Sequence, residues 1–569
     1  MDKQDICIVL CGEAGQGIQT VEALLEGILM RAGYNVFATK EYMSRIRGGA
    51  NSIEIRLSQN KVRAFVDTID ILVALNAGAI EHVAERVGPR TLILGEKDAL
   101  GDDSKRWGER VTDVPFKKTA TQIGGAIFSN TVAAGVLAGL FAVPAGLLDE
   151  QVRQFFSAKG PDIIENNVRA AACGRELGAD LAGSGGFAFN IAADSTVGGD
   201  MLLNGAEAVG LGAIAGGCSF VSSYPMSPST GVLVFLAGHA ADCGIAVEQA
   251  EDEIAAINMA LGAWYAGARA MVTTSGGGFA LMAEGLSLAG MIESPLVVHL
   301  AQRPGPATGL PTRTEQGDLE LALYAGHGEF PRAVFAPGTL EEAFHLTQNA
   351  FNLADRHQSP VIILTDQYLM DSYYNIPAFD LSGLGVESHI VKTETGYKRY
   401  ELADNGVSPR GVPGYGDGLV VVDSDEHDEC GHITEDLALR VKMVQKRLKK
   451  LDAMTDEAIR PTLTGPEDYK NLVVCWGSTR NIVSEALAKL PRADTSLLHF
   501  SQVYPLHPST GDLLGRAEKL ILIEGNATGQ FGKLIKLATG IDIESRMLKY
   551  DGLSFSVEEV VEGLSGLLI

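Results

Sequence analysis

Two side chains of the 569-residue chain have the type and the setting needed for chemistry. Glu253 lies in an acidic segment at the start of a stretch with helical periodicity, where a carboxylate can hold a proton or accept a hydrogen bond. Arg303 precedes a Pro-Gly-Pro segment, and its guanidinium could donate two parallel hydrogen bonds to a substrate carboxylate. The alternatives are an acid that complements a helix dipole and an arginine in a surface ion pair.

A third candidate is the glycine turn that follows the apolar run Ile6–Leu10. Gly12, Gly15 and Gly17 separate this run from an amphipathic stretch that extends to Arg31, a pattern typical of strand, tight turn and helix. Backbone amides at such a turn can bind phosphate. The spacing G-x-x-G-x-G differs from the dinucleotide order, so a phosphate site and a simple tight turn both stay open.

The elements that position these groups follow a βα alternation, which predicts the α/β fold class. It extends over residues 1–182, 195–385 and 466–569. Residues 386–465 are polar and rich in glycine and proline, which predicts a connecting arm, with a basic helix candidate at Arg440–Lys450. Within the second region, strands are predicted at Ala270–Thr274, Leu296–Leu300 and Val361–Leu364, and a helix at Asp252–Ala266.

Composition restricts the partners. The chain has 46 Lys and Arg against 71 Asp and Glu, a net charge of −25, which disfavours nucleic acid and anionic membrane surfaces. Its seven cysteines lack the close spacing of a zinc or iron–sulfur site, so we expect no metal site and reduced thiols in a cytoplasm. The first residues lack the pattern of a signal peptide. Residues 119–148 carry no charge, but their many Ala, Gly and Thr residues favour a buried helix over a membrane span.

The segment Tyr224–Thr230, Y-P-M-S-P-S-T, resembles the Y-P-I-T-P-S-T motif of the alpha subunits of 2-oxoacid:ferredoxin oxidoreductases. Further segments match the alpha subunit in order and spacing: Gln249–Glu253, Thr274–Gly276, Leu281-Met282, Gln302-Arg303, Gly305-Pro306, Thr308–Thr312, Glu315-Gln316, His327–Glu329, Pro331-Arg332, Ser408–Arg410, Asp425–Asp428 and Trp476–Arg480. Gly12–Gly17, Glu41-Tyr42 and Ile46–Gly49 resemble the gamma subunit of the same family, here fused in front. Two departures are Ser227 for the usual Thr and Gly277 for the usual Pro.

The resemblance implies three βα-type domains: a gamma-like domain at 1–182, a pyrimidine-binding domain of thiamine-diphosphate enzymes at 195–385, and a transketolase C-terminal-like domain at 466–569. In this family, a glutamate at the position of Glu253 hydrogen-bonds the cofactor's aminopyrimidine and favours the tautomer that activates the thiazolium. The resemblance further implies substrate binding by Arg303, Thr312 and Ser227, and cofactor binding by Ser275 and Gly276. It implies a coenzyme A site at Gly15, Gly17, Arg47, Gly48 and Gly49.

The reaction implied is oxidative decarboxylation of a 2-oxoacid, first choice 2-oxoglutarate, with coenzyme A, giving acyl-coenzyme A, CO2 and reduced ferredoxin, reversibly. Gly416-Asp417-Gly418 resembles the start of the motif that binds Mg²⁺ and the diphosphate, but no Asn follows at the expected distance, so this sequence lacks that motif. Its cysteines also lack the spacing that an iron–sulfur cluster needs. A beta subunit is therefore expected to carry Mg²⁺ and a [4Fe-4S] cluster, to share the thiamine diphosphate, and to form an (alpha-beta)2 assembly.

Several alternatives stay open. The substrate could be pyruvate or a broad range of 2-oxoacids. The chain could be a transketolase-like or decarboxylase enzyme that uses the same cofactor without ferredoxin, or a scaffold that only binds the beta subunit. The acidic segment from Asp423 to His432 could suggest a metal site, but residues so close in sequence rarely converge on one ion, which favours a solvated loop.

Overall fold

The computed structural model describes residues 5–13, 18–42, 50–184, 191–490 and 492–568. The chain forms two compact units. Unit 1 comprises Met1–Leu203 and Ser372–Phe379, and unit 2 comprises Asn204–Asp371 and Asp380–Ile569. In the described part of the chain, no helix combines the length and the hydropathy needed to cross a lipid bilayer.

The strands alternate with helices along both units. In chain order the strands are β1 (Asp5–Glu13), β2 (Asn35–Glu41), β3 (Ala50–Ser58), β4 (Ile71–Ala74), β5 (Leu92–Gly95), β6 (Val111–Asp113), β7 (Met201–Asn204), β8 (Phe220–Ser223), β9 (Ala246–Gln249), β10 (Ala270–Thr274), β11 (Leu296–Gln302), β12 (Ala333–Phe335), β13 (Pro360–Asp366), β14 (Tyr373–Ile376), β15 (Thr462–Thr464), β16 (Asn471–Trp476), β17 (Thr495–Phe500), β18 (Gln502–Tyr504), β19 (Lys519–Glu524) and β20 (Ser545–Leu548).

The α-helices, in chain order, are α1 (Ile18–Arg31), α2 (Ala79–His82), α3 (Asp103–Trp107), α4 (Phe116–Ile123), α5 (Ser129–Leu140), α6 (Ala145–Phe155), α7 (Pro161–Gly183), α8 (Gly205–Ala215), α9 (Thr230–Gly238), α10 (Ala240–Cys243), α11 (Glu253–Tyr265), α12 (Gly276–Leu281), α13 (Ala283–Met291), α14 (Leu319–Tyr324), α15 (Leu340–His357), α16 (Gln367–Asp371), α17 (Leu437–Asp456), α18 (Thr479–Lys489), α19 (Thr510–Gly515), α20 (Gln530–Thr539) and α21 (Val557–Leu567). The predicted strands at 270–274, 296–300 and 361–364 and the predicted helix at 252–266 are confirmed.

Unit 1 is built on an eight-stranded mixed sheet, in the order β6-β5-β4-β1-β3-β2-β14-β7. Its uncharged stretch 119–148 contains α5, which is buried as predicted. Glycines allow this burial: a Cβ at Gly135 or Gly139 would overlap the backbone of α7, and one at Gly174 or Gly178 would overlap that of α5. The two helices therefore pack with their backbones in close contact.

Unit 2 contains two sheets. One has seven strands in the order β18-β12-β13-β11-β10-β8-β9, which are parallel except for β18, and the other has five strands in the order β15-β17-β16-β19-β20. Strands such as β11 and β13 are buried along their whole length, as expected for parallel strands covered on both faces. The prediction of an α/β fold class is confirmed.

The predicted basic helix is confirmed as α17, and three of its basic residues, Lys446, Arg447 and Lys450, are buried. The side chains of Lys446 and Lys450 are 3% and 1% exposed, and their Nζ atoms lie 2.7 and 2.6 Å from the carboxylate of Glu293, which is 1% exposed. Burial alone would raise the pKa of Glu293, but Lys450 and Lys446 hold it well below its usual range. Burial lowers the pKa of Lys450 to about 8. A buried ion-pair cluster thus fixes α17 to the segment after α13.

Candidate functional site

Four candidate loops meet at one edge of the seven-stranded sheet. Strands β11, β10, β8 and β9 are consecutive neighbours and run parallel. Arg303, Ser275, Ser227 and Glu253 each follow the carboxyl end of one of them by one to four residues. The carboxyl ends of parallel strands open into the crevice where α/β proteins bind ligands. The topology therefore brings four residues together that are separated by up to 76 positions in the sequence.

Glu253 is the first residue of α11 and is 3% exposed. Asp252 caps the helix, its Oδ1 accepting a hydrogen bond from the amide of Ala255 at 2.7 Å. The Glu253 side chain points inward and lies against Gly278. A Cβ on this glycine would overlap both the Glu253 side chain and Thr274 Oγ1. Glu253 Oε1 is buried and has no hydrogen-bond partner among the residues that the structure describes. A buried carboxylate oxygen without a donor is costly unless a ligand supplies one.

Arg303 joins two of the loops. Its Nη1 donates a 2.8 Å hydrogen bond to the backbone oxygen of Ser227, while its Nε is buried without a partner. Burial lowers the pKa of Arg303, and the negative charge of Asp318 opposes that shift. Ser275, on the loop that follows the neighbouring strand β10, is fully buried, and its Oγ has no hydrogen-bond partner among the described residues. The guanidinium thus keeps donors available in a partly dehydrated setting.

Thr312 lies on the long loop between β11 and α14, nine residues after Arg303, and is half-buried. At Gly309 the loop adopts a φ of +52°, and a Cβ there would overlap the oxygen of Pro304. Gln316 then joins the loop to the five-stranded sheet, its Nε2 donating to Trp476 O at 2.9 Å and its Oε1 accepting from the amide of Gly525 at 2.8 Å. The loop that carries Thr312 is therefore anchored at both ends.

Asp318 was missed by the sequence analysis. Its amide donates a 2.9 Å hydrogen bond to Gln302 Oε1, which brings the end of the loop back to β11. Its Oδ2 is buried, has no hydrogen-bond partner in the described part of the chain, and would overlap a Cβ on Gly276. Burial and the charge of Glu315 raise the pKa of Asp318 to about 6, although Arg303 acts in the opposite direction. No local pattern marks this residue, because its neighbours come from β11 and α12.

The candidate coenzyme A residues Gly15, Gly17, Arg47, Gly48 and Gly49 lie outside the described residues.

The segment from Asp423 to His432 differs from the predicted solvated loop. His427 is fully buried with its ring centroid 3.8 Å from that of Tyr400, and Glu426 accepts hydrogen bonds from Arg447 at 2.9 and 3.0 Å. Stacking of His427 and pairing of Glu426 thus fix the middle of the segment to the unit, while Ser424, Asp425 and His432 are exposed.

The expectation that neighbours in this segment do not converge on one ion stays a prediction, although three of their side chains lie close together. Asp428, Cys430 and His432 each place one ligand atom within 4.8 Å of the others. Asp428 Oδ1 already accepts from the amides of Cys430 and His432, at 2.8 and 3.0 Å. A tight turn around Asp428 therefore accounts for this geometry.

Comparison with known proteins gives consistent matches over the chain. Residues 211–446 match the family "pyruvate flavodoxin/ferredoxin oxidoreductase, thiamine diphosphate-binding", and residues 7–177 match "pyruvate ferredoxin/flavodoxin oxidoreductase". The 2-oxoacid:ferredoxin oxidoreductase subunit alpha of a Sulfolobus species is 33% identical over 610 aligned residues, covering 98% of this chain and 96% of the relative. The chain belongs to the alpha subunits of the 2-oxoacid:ferredoxin oxidoreductases.

Two further relatives agree with this assignment. The 2-oxoglutarate oxidoreductase subunit KorA of Mycobacterium tuberculosis is 27% identical, covering 98% of this chain and 90% of the relative. The solved structure of 2-oxoglutarate:ferredoxin oxidoreductase from Magnetococcus marinus, with 2-oxoglutarate, coenzyme A and succinyl-CoA bound, superposes with a TM-score of 0.92 at 32% identity and full coverage of both chains. The predicted family and the enzyme class, an oxidoreductase subunit, are confirmed.

Proposed function

We propose that this chain binds thiamine diphosphate together with a beta subunit and converts 2-oxoglutarate and coenzyme A to succinyl-CoA, CO2 and reduced ferredoxin, reversibly. The observation that supports this most is the group of buried polar atoms without partners at one sheet edge: Glu253 Oε1, Ser275 Oγ and Arg303 Nε. Buried polar groups are normally paired, so three together indicate a polar ligand. The names of the relatives indicate which ligand.

Residues of this chain fit the aminopyrimidine half of the cofactor. Glu253 Oε1 lacks a hydrogen-bond donor among the described residues, and a protonated pyrimidine nitrogen can supply one. Ser275 Oγ and the backbone of Gly276 lie at the carboxyl end of β10. When bound, thiamine diphosphate supplies the carbon that adds to a keto group. The role of Glu253 is to hold a proton at the pyrimidine ring and so favour one tautomer.

Arg303 is proposed to bind the carboxylate of the 2-oxoacid. A guanidinium in a half-buried position offers charge and directed donors, and its hydrogen bond to Ser227 O fixes its orientation. The hydroxyls of Ser227 and Thr312 are proposed to donate to substrate oxygens. Ser227 keeps the hydroxyl of the usual Thr, so this role survives the substitution.

The partner is proposed to be a beta chain that holds the Mg²⁺–diphosphate site and the [4Fe-4S] cluster, in an (alpha-beta)2 assembly. Apolar side chains at the rim of the site support an interface there: Tyr224, Ile254, Leu281 and Leu310 are 41–53% exposed. Ferredoxin docking is proposed on the beta chain, because a net charge of −25 does not attract an acidic protein. Seven unpaired thiols are compatible with a cytoplasmic location.

We retain the domain boundaries predicted from the sequence, 1–182, 195–385, 386–465 and 466–569, as part of the proposal. The first of these domains is proposed to bind coenzyme A through Gly15, Gly17, Arg47, Gly48 and Gly49, because basic charge beside bare backbone suits phosphate groups.

A second candidate is activity on pyruvate or on a broad range of 2-oxoacids. The specific observation in its favour is that the Sulfolobus relative, which is more similar to this chain than the M. tuberculosis protein, is named for 2-oxoacids in general. An enzyme specific for 2-oxoglutarate requires the second carboxylate of its substrate, whereas an enzyme for pyruvate or for many 2-oxoacids does not.

The test is anaerobic reconstitution of the purified chain with its beta chain. Coenzyme A-dependent dye reduction is measured with 2-oxoglutarate, pyruvate and a branched 2-oxoacid, with each chain alone as a control. We expect a colourless, inactive alpha chain, a brown active complex, and kcat/KM highest for 2-oxoglutarate. Equal values for all three acids would establish the broad-range candidate, and iron and sulfide bound stoichiometrically to the alpha chain would contradict the assignment of the cluster to beta.

The variants Arg303→Ala and Arg303→Lys extend this test to the site. Lysine keeps the charge but loses the two parallel donors, and alanine loses both. We expect kcat/KM to fall in the order parent, Lys, Ala, with thiamine diphosphate binding nearly unchanged. An unchanged kcat/KM for Arg303→Ala would exclude Arg303 as the carboxylate-binding residue.

A further inference from the structure

Asp318 shares the site with Arg303 but has no place in the chemistry described so far. Its backbone is fixed by Gln302, its Oδ2 lies against Gly276 without a partner, and its charge acts on the guanidinium of Arg303. An ionised carboxylate next to the residue that binds an anionic substrate would repel that substrate. The site is therefore better suited to a 2-oxoacid when Asp318 carries a proton.

We propose that Asp318 is proton-linked to substrate binding: its carboxyl group takes up one proton from solvent as an anionic 2-oxoacid binds beside Arg303, and returns it when the acid leaves. This inference rests on the proposed role of Arg303. It makes Asp318 a residue that sets the charge of the binding site, and it predicts that substrate affinity depends on pH.

The charged groups around Asp318 support this behaviour. Arg303, on the loop after β11, lowers the pKa of Asp318, whereas Glu315, three residues earlier on the same segment as Asp318, raises it. Gly276 of α12 and Gln302 of β11 carry no charge. Glu253, on α11, is a further titratable group of the site and contacts Gly278, two residues after Gly276 on α12. Burial, the largest cause, raises the pKa of Asp318 to about 6 in the presence of these charges.

The sign of the pH dependence follows from linkage. A bound anion opposes the effect of Arg303, so it raises the pKa of Asp318 further. Substrate binding is then strongest at low pH, where Asp318 is protonated in the free site and in the bound site. Binding weakens as the pH rises from about 6, the pKa of Asp318 in the free site, to the higher pKa that it has in the bound site. For a rise of about one pKa unit, we expect about a fivefold loss of affinity between pH 6 and 8.5.

The experiment uses the reconstituted complex with thiamine diphosphate and 2-hydroxyglutarate as the probe. This probe carries the two carboxylates of 2-oxoglutarate but lacks the keto carbon, so binding is measured without turnover. Calorimetry in buffers of different ionisation enthalpy gives the affinity and the number of protons taken up. We expect the parent complex to take up about half a proton or more per site near pH 6.5.

Asp318→Asn has nearly the same shape as the protonated acid but cannot ionise. We expect it to take up no proton and to bind 2-hydroxyglutarate at pH 8 about ninefold more tightly than the parent, with the two affinities converging at about pH 5. A merely structural role would weaken binding at every pH instead. Proton uptake that persists in Asp318→Asn, or a parent affinity that is independent of pH, would overturn the proposal.

Glu315→Gln provides a second test that does not require the first variant to fold. Removing this like charge lowers the pKa of Asp318, so the pH dependence should persist with its midpoint at lower pH. Loss of the pH dependence in Glu315→Gln would assign the proton to Glu315 and contradict the proposal. Arg303→Ala separates the two levels of inference: unchanged affinity for the probe in that variant would mean that the substrate binds elsewhere, a failure of the proposed function itself.

Discussion

The buried charges of Glu293, Lys446 and Lys450 differ from those of Glu253 and Arg303 in what they face. In the first cluster, the carboxylate lies 2.6–2.7 Å from two ammonium groups, so each buried charge has a partner of opposite sign in the same chain. At the sheet edge, Glu253 Oε1 and Arg303 Nε face no partner among the described residues. Both regions place charged groups partly or wholly out of water, which costs free energy. Only the Glu293 cluster offsets this cost with partners in the same chain.

The difference shows how burial is used in unit 2. A buried ion pair contributes little net stability, but loss of one partner is strongly destabilising, so such a cluster fixes elements that are far apart in sequence. Buried groups without partners cost stability in the free chain and recover it when a ligand binds. Substitutions in the first region should therefore change stability, and substitutions in the second should change ligand chemistry.

The largest effect is expected for Glu253→Gln. Glutamine has nearly the same size but cannot hold the charge that favours the reactive tautomer of the cofactor, so exchange of its thiazolium C2 proton should slow by about 10²- to 10⁴-fold. Quenched-flow NMR of the reconstituted complex measures this step apart from decarboxylation and electron transfer. Assembly and melting temperature should be nearly those of the parent.

Glu251→Gln is the matched control, since it removes an exposed carboxylate two residues earlier. Its exchange rate should equal that of the parent. If Glu253→Gln exchanged as fast as Glu251→Gln, the carboxylate would have no part in activating the cofactor, even if overall activity fell.

The next effect is expected for Glu293→Gln. This change leaves the ammonium groups of Lys446 and Lys450 buried without a counter-charge, and we expect the free energy of unfolding to fall by about 3–5 kcal/mol. Equilibrium urea unfolding of the purified chain measures it. In the exposed pair of Lys470 and Glu518, with side chains 61% and 71% exposed, Glu518→Gln should cost less than about 1 kcal/mol.

The pH dependence of Glu293→Gln checks the cause. Burial already lowers the pKa of Lys450 to about 8 beside Glu293. Without the glutamate that pKa falls further below the value in the unfolded chain, so the unfolded state binds more protons and stability rises with pH. The deficit of the variant should therefore shrink as the pH rises toward about 8, above which Lys450 is neutral in both folded chains. A deficit that is constant with pH would point to lost packing instead.

The sequence predicts the ligand site better than it predicts the ion-pair cluster. Ser275 and Arg303 each follow an apolar run of strand length, and in a parallel sheet such positions meet at one edge. Glu253 follows a short strand that ends in Glu248 and Gln249, so its acidic motif at a helix start, and not a strand pattern, marked it. Glu293 and Lys446 are 153 positions apart, and no local pattern connects them. The run of positive charges in α17 fits an exposed helix equally well until the tertiary contacts are known.

Asp318 illustrates the same limit within the site. Its position depends on a loop that leaves β11 after Gln302 and returns to it 16 residues later through one hydrogen bond. Loop closure of this kind is a tertiary event, and neither periodicity nor residue type indicates it. The family resemblance covered the segment through Glu315 and Gln316 but attached no role to the acid two residues further on.

The smallest effect is expected for Ser275→Ala, and its sign distinguishes the two regions. Ser275 Oγ is buried without a partner, and although Ser275 precedes α12, its side chain makes no capping hydrogen bond. Removing the Ser275 hydroxyl deletes an unpaired polar group, so the free energy of unfolding of the purified chain should stay the same or rise by up to about 1 kcal/mol.

In the reconstituted complex, Ser275→Ala should weaken thiamine diphosphate binding, because a ligand contact is lost. Urea unfolding of the chain and cofactor titration of the complex measure the two quantities separately. A chain destabilised by Ser275→Ala, with unchanged cofactor affinity, would place Ser275 among the groups that hold the fold, as Glu293 does, and would remove it from the ligand site.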